Sequence, residues 1–417
     1  MNYFFDQHFH VMNIEHPNLL AFFDSLDTGI PDLITSGAFS LNYIFTAKNR
    51  KGSLMLDRIT NTLTTFDQPI GQTLALMEDD LMGRFASHEK ASPKPDKPFI
   101  RRGKMHMRGR SYAKLAMCPL LMDFSSTDIS MESLYYPPKN AKKILKYAED
   151  TLVGFDWYRE NHPDGLFEFY PFIGITPPAH SIAFIEELLE TYVNKDHKRE
   201  SQFKQGKQKF YGVKFYPPLG YDPWPSDPKE KAKVTLIYKF CTEHDIPIMT
   251  HCDDQGFRGV HPKDAWKFTS PASYIPVLEK YPTLRIDFAH YGWQYNPLHK
   301  NPLTVISAAA NKVPDSPWFY ELVDLMHHYP NIYADFSFSG ANSDFYVLLN
   351  NYVKSLEDAK AETVLERSLF GSDFNVHLLK VESYNSYYRM FEQSPFTDDE
   401  VHAFVQTNPM RYMGIVE

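Results

Sequence analysis

Eight short apolar runs, each bounded by turn-forming residues, alternate along this chain with longer stretches of helical periodicity. They are Tyr3 to His10, Lys114 to Asp123, Leu166 to Ile175, Phe210 to Tyr216, Ile246 to His251, Leu284 to His290, Ile332 to Phe336 and Ser368 to Asp373. Runs such as Ile246-Pro247-Ile248-Met249-Thr250 lack polar alternation, as strands covered on both faces do. Eight such strands alternating with helices predict an α/β protein, a (β/α)8 TIM barrel.

The helices between the later runs carry start signals. Ser226-Asp227-Pro228, Ser270-Pro271 and Ser316-Pro317 each offer a capping side chain with proline at the first turn. From Lys229 to His244, Val234, Ile237, Phe240 and Cys241 fall on one helical face. Two consecutive units also resemble each other: Tyr281-Pro282 through Asp287-Phe288 aligns with Tyr329-Pro330 through Asp335-Phe336 at one constant offset, as a repeated βα unit would. The mismatch falls at the strand end, where His290 corresponds to Phe338.

At 417 residues the chain exceeds the usual single-core size of roughly 250 to 300, which leaves two domains or one large barrel with insertions. We read one domain over 1–417, with an insertion between the first and second strands at about 47–110. That stretch includes the proline-rich Ala91 to Pro98 and the basic run Arg101 to Arg110, which reads mainly as a solvated loop, with an anion or partner subunit as the sharper option. Asn194 to Lys209 is a second charged insertion, and both are expected to overhang the barrel mouth.

Hydrophobic residues at 43% and charged ones at 23% describe an ordinary globular protein. A net charge of -9 and a pI near 6.0 argue against nucleic acid as the partner and for a small-molecule substrate. Cys118, Cys241 and Cys252 lie far apart with no CxxC spacing, so neither a disulfide framework nor a cysteine zinc site is expected. The first strand begins at once, leaving no room for a signal peptide, and no apolar stretch of roughly 18 residues or more suggests a membrane span. A cytoplasmic location is the expectation.

His8 and His10 stand two apart in Asp6-Gln7-His8-Phe9-His10. Strand side chains alternate faces, so both imidazoles point one way, a geometry that suits a divalent metal. A pair of hydrogen-bonded strand histidines is the bland alternative. Further along, Lys214, His251, His290 and Asp373 each stand at or near the C-terminal end of a predicted strand, the face where barrel enzymes place their active sites. Buried polar side chains at strand ends need partners, and a shared metal would supply one.

These segments resemble the amidohydrolase superfamily of metal-dependent barrels, and within it amidohydrolase family 2, with its aminocarboxymuconate semialdehyde decarboxylase-like proteins. The resemblance rests on Asp6 to His10, Gly212 to Tyr221, Ile248 to Cys252, Asp287 to Gly292, Leu369 to Phe374 and Asn408 to Gly414. It spans both ends of the chain and is weakest from about Ala47 to Gly109. It implies that His8, His10 and His251 bind a divalent metal, with Asp373 as a further ligand or the base for an activated water. His290 is implied as a ligand of a second ion or as a group that bonds substrate or water. Lys214 either carries a carbamate that bridges two ions or, unmodified, faces a substrate carboxylate. Zinc is the expected metal, as one or two ions, with manganese as the alternative.

Tyr221, Asp253, Asp254, Arg258, Tyr291 and Trp293, just beyond the strand ends, are the candidate substrate contacts. The resulting expectation is a hydrolase that uses a metal-activated water to cleave a C-N or C-O bond in an amide, cyclic amide or lactone. A lyase, decarboxylating or hydrating a small aromatic or unsaturated acid, is the rival, and a non-catalytic small-molecule binder is the third reading. Barrels of this resemblance often pair, so a homo-oligomer is expected.

Overall fold

The computed structural model describes residues 2–13, 16, 50–85, 97–125, 143–195, 209–256, 258, 260, 262–295 and 302–415. In chain order the strands are β1 (Tyr3–Phe9), β2 (Ile100–Arg101), β3 (Lys104–Met107), β4 (Arg110–Tyr112), β5 (Lys114–Pro119), β6 (Phe167–Phe169), β7 (Phe172–Gly174), β8 (Gly212–Phe215), β9 (Ile248–Thr250), β10 (Ile286–Phe288), β11 (Ile332–Asp335) and β12 (Ser368–Leu369). β1-β5-β6 form one parallel sheet and β12-β11-β10-β9-β8-β7 another, with helices between most successive strands.

All eight apolar runs contain strand, and one of them is split. Pro171 lacks an N–H and divides the third run into β6 and β7. Tyr170 donates its N–H back to Met117 of β5 at 2.7 Å, while the Pro171 carbonyl accepts from Tyr211 at 2.7 Å, so the chain changes partner at the proline. Hydrogen bonds link the two parallel sheets along both edges. Leu121 N–H reaches Phe172 O at 3.0 Å on one side; on the other, Gln7 N–H reaches Phe370 O at 2.9 Å and Ser372 N–H reaches His8 O at 2.9 Å.

Phe5, Cys118, Phe172, Met249, Tyr333 and Leu369, from six strands of both sheets, meet in one buried cluster that Tyr412 and Met413 complete. Tyr412 also donates its hydroxyl to Ile248 O at 2.8 Å, seating the C-terminal helix Asn408–Met413 on that cluster. The larger apolar cluster gathers strand side chains with the helices, including Val234, Ile237, Phe240 and Cys241 of the helix Pro228–Glu243.

Helix starts follow the sequence with one change of use. Asp227 caps Pro228–Glu243 by accepting from Lys229 N–H and Glu230 N–H, and Ser270 accepts from Ala272 N–H. Ser316 makes no such bond at the head of Pro317–His328; its hydroxyl donates to Gly292 O at 2.7 Å and ties the β10 loop down.

The segment before β5 is more ordered than a solvated loop. Helices Arg50–Asp67 and Ile70–Leu81 precede an antiparallel sheet β2-β3-β4 built from the basic run. Gly103 (φ 67) and Gly109 (φ 78) allow its tight turns. Arg108 anchors it to the C-terminal part of the chain, donating to Ser394 O at 2.8 Å and Phe396 O at 2.5 Å. The linker from Ala91 to Asp96 and most of the second charged insertion, 196–208, lie outside the described residues.

Candidate metal centre

β1 reaches the site through a break in its register with β5 between Asp6 and Phe9. Phe5 belongs to the smaller cluster between the strands and Gln7 donates its amide to Met413 of that cluster at 3.4 Å, while Phe9 packs in the larger one. Across this irregularity His8 and His10 lie side by side, with ring centroids 5.4 Å apart. Asp373 faces them from the segment after β12, in a left-handed backbone (φ 57), with its N–H on His8 O at 2.7 Å. Gly371 makes that approach possible: a Cβ there would lie 2.6 Å from His8 Cβ.

Each histidine uses one ring nitrogen on the protein. His8 Nδ1 lies 2.8 Å from Asp335 Oδ2, and His10 Nδ1 lies 3.0 Å from Leu120 O. Both contacts need an N–H on Nδ1, which leaves the Nε2 atoms as acceptors. These stand 3.4 and 3.3 Å from the same atom, Asp373 Oδ1, and His8 Nε2 has no hydrogen-bond partner among the described residues. Three buried acceptors converging on one point repel unless a cation lies among them, and two imidazole nitrogens with one carboxylate oxygen fit a divalent metal.

Without such an ion a proton must serve. Burial disfavours a charged His8, yet the Asp335 carboxylate outweighs it and lifts the imidazole above its ordinary value. Burial likewise opposes the Asp373 charge, but the neighbouring His10 and His8 prevail and hold the carboxyl well below the usual range. His10 is lowered, chiefly by burial.

A second group adjoins the first. His290 Nε2 lies 3.1 Å from His251 Nδ1, and His251 Nε2 lies 2.9 Å from Asp253 Oδ1 and 3.2 Å from Gln255 O. His290 Nδ1 meets Ser337 O at 3.0 Å and Ser337 Oγ at 2.9 Å. The His290 ring lies 5.0 Å from that of His8 and 4.8 Å from that of His251, so it links the two groups. His251, His290 and Asp253 thus form a second set of converging donors. Burial brings His290 down to about 4 and His251 well below its ordinary value. Burial raises the Asp253 carboxyl.

Lys214, on β8, is buried with no hydrogen-bond partner for Nζ among the described residues. Burial lowers its ammonium to about 8, against the opposing pull of Asp335, Asp373, Asp287 and Asp253. The loop candidates divide. Asp253 belongs to the histidine chain, and the half-buried Arg258 lies close enough for its charge to act on that carboxylate. Asp254 accepts from Tyr295 N–H at 2.7 Å. Tyr221 and Tyr291 are buried, the first accepting from Tyr216 N–H at 2.6 Å and the second bonded to Ser368 Oγ at 2.9 Å. Trp293 packs edge-on against Phe345.

Asp335 and Ser337 were not among the sequence candidates. Asp335 holds His8, accepts from His290 N–H at 3.1 Å and takes the Ser337 hydroxyl, so one buried carboxylate orients two site histidines. The signal is present in the repeat, where Asp335 matches Asp287, itself buried with both carboxylate oxygens unpartnered among the described residues. The two repeat units also end alike, His290 (φ 62) and Phe338 (φ 55) both turning through the left-handed region that non-glycine residues seldom adopt.

A family model described as Amidohydrolase matches residues 149–415, more than half of the chain. No curated protein matches. Among solved structures, 5-carboxyvanillate decarboxylase from Novosphingobium aromaticivorans, complexed with manganese, is 11% identical over 100% of this chain and 96% of its own, with a TM-score of 0.49. The 5-carboxyvanillate decarboxylase of Sphingomonas paucimobilis is 11% identical over 100% of both chains, with a TM-score of 0.45. 4-Oxalomesaconate hydratase from Rhodopseudomonas palustris is 14% identical over 98% of this chain and 95% of its own, with a TM-score of 0.45.

Proposed function

Because the chain belongs to the amidohydrolase family and is a metal-dependent enzyme of it, we propose that it is a lyase, decarboxylating a small aromatic or unsaturated carboxylic acid. This reading replaces the hydrolase expected from the sequence. We take the strands and helices as one (β/α)8 barrel over 1–417, with about 47–110 inserted. His8, His10 and Asp373 would hold the ion, zinc being the first choice and manganese the second. The chemistry a divalent ion supplies there is Lewis acidity toward the carboxylate and the charge that develops beside it.

The observation that carries the reading is the Nζ of Lys214 beside this donor set, buried and unpartnered among the described residues. A lysine there pairs readily with a carboxylate that enters from outside, since a buried ammonium gains most from an opposite charge. Asp373 favours the same reading. Its Oδ1 faces both histidine Nε2 atoms, which leaves that oxygen poorly placed to draw a proton from an attacking water.

Decarboxylation asks for a proton donor instead, and the histidine chain is suited to it. The C–CO2 bond breaks with its electron pair on the substrate carbon, carbon dioxide leaves, and the carbon takes a proton passed on through His290 Nε2. His290 is resupplied through His251 from Asp253, whose raised affinity for a proton suits that task. Asp253 then regains its proton from solvent.

The test is a panel of aromatic and unsaturated acids, lactones and cyclic amides offered to metal-loaded protein in 18O water. Carbon dioxide release without 18O in the organic product is the expected result. Addition of 18O to the carbon–carbon double bond of an unsaturated acid would make the enzyme a hydratase, still a lyase. Cleavage of an amide or lactone with 18O incorporation would overturn the lyase reading.

A further inference from the structure

One wall of the site runs outward from His290 and ends on a lysine. The His290 ring packs edge-on against Phe338 at 6.3 Å between centroids, and Phe338 packs edge-on against Tyr295 at 5.9 Å. The Lys380 ammonium lies over both outer rings, 5.5 Å from the Phe338 centroid and 6.0 Å from that of Tyr295. Phe338 is set by its left-handed backbone (φ 55), and Tyr295 by donation of its N–H to Asp254 Oδ1 at 2.7 Å. Lys380 itself ends the turn Val376–Leu379 that follows Asp373. The same loop therefore brings a site carboxylate and this cation.

An exposed lysine is ordinarily just solvated. Lys380 differs because an unbroken row of rings leads from it to His290, and because no carboxylate among the described residues pairs with its ammonium. Its charge is also within reach of the inner site. Burial lowers the ammonium, and the Asp253 carboxylate, hydrogen-bonded to His251, pulls it partly back. A flat ligand lying along the rings would thus have one end at the metal centre and the other at a cation.

We propose that Lys380 is a specificity-determining residue, binding a second anionic group of a flat, unsaturated or aromatic substrate whose reacting carboxylate lies near His8, His10 and Asp373. This inference rests on the lyase reading above, since it presumes an acid in the site. It narrows the substrate class to dicarboxylates or acids with another anionic substituent.

The test uses benzoate as the monoacid and isophthalate, terephthalate and 4-carboxycinnamate as diacids of increasing reach. Each is titrated calorimetrically into metal-loaded wild type, K380M and K380R. The wild type is expected to bind at least one diacid tenfold or more tightly than benzoate. K380M should lose that difference while binding benzoate unchanged, and K380R should keep most of it, a pattern that general damage to the site would not produce. If the acids bind but K380M keeps the preference, or if K380M loses benzoate as well, the role of Lys380 is overturned while the lyase reading stands. If no acid binds the wild type, both fall.

Discussion

His8 Nδ1 lies 2.8 Å from Asp335 Oδ2, and neither side chain meets solvent. A carboxylate behind a metal-binding histidine fixes its tautomer and raises its basicity. Asp335→Asn keeps the shape and removes the charge, so affinity for zinc should fall about tenfold to hundredfold while the fold survives. Competition with a chromophoric chelator measures this. Unchanged affinity would mean that the imidazole is oriented by its backbone alone.

Metal should also act as a structural ligand, because it binds donors that only the folded chain assembles. A ligand at about a thousandfold over its Kd stabilises a fold by about 4 kcal/mol. Chelator-treated protein should therefore melt several degrees lower by calorimetry, and added zinc or manganese should restore the loss. Restoration should fail in His10→Ala and in Asp373→Ala, which remove two of the three converging donors. Equal restoration in both variants would place the ion elsewhere.

How far the site could be read from the sequence depends on which residue is considered. His8 and His10 were legible because strand alternation alone sets them on one side, although the register break that turns them into the site between Asp6 and Phe9 has no sequence signature. The strands were legible because parallel strands buried on both faces lose their polar alternation, yet the run from Ser368 to Asp373 gives only a two-residue β12 before the chain peels off to place Asp373. Asp335 is not legible because it stands short of the strand-end position that His290 occupies in the other repeat unit, and only the stagger between neighbouring strands brings it to His8. Tyr291 follows His290 through a left-handed pair, φ 62 and 58, which carries its hydroxyl to Ser368 instead of toward the mouth. Such reversals of direction depend on backbone torsions that packing imposes, and apolar patterning does not encode them.

Gly371 offers a test of how closely β1 and the segment after β12 must approach. A methyl group there would lie 2.6 Å from His8 Cβ, closer than side-chain carbons can sit, and a tight 3.2 Å from His8 N, so one strand must move. Gly371→Ala should cost about 1 to 3 kcal/mol in urea unfolding and weaken metal binding together. A loss of stability with full metal affinity would show that the strands separate without disturbing His8.

The antiparallel sheet β2-β3-β4 is held at one end by Arg108, which donates to two carbonyls, Ser394 O and Phe396 O, and lies 3.6 Å from Asp398 Oδ1. Carbonyls bonded by one guanidinium lose all of those bonds at once when it is removed, whereas the neighbouring Arg110 contact with Asp399 is exposed and adds little. Arg108→Ala should therefore loosen the sheet locally, by about 1 to 3 kcal/mol, without reaching the histidines. Limited trypsin digestion should cut first within Arg101 to Arg110, faster than in the wild type, while metal content stays unchanged. A parallel fall in metal content would instead tie the sheet to the site; unchanged digestion would mean that apolar contacts from the buried Met105, Met107 and Tyr112 hold it unaided.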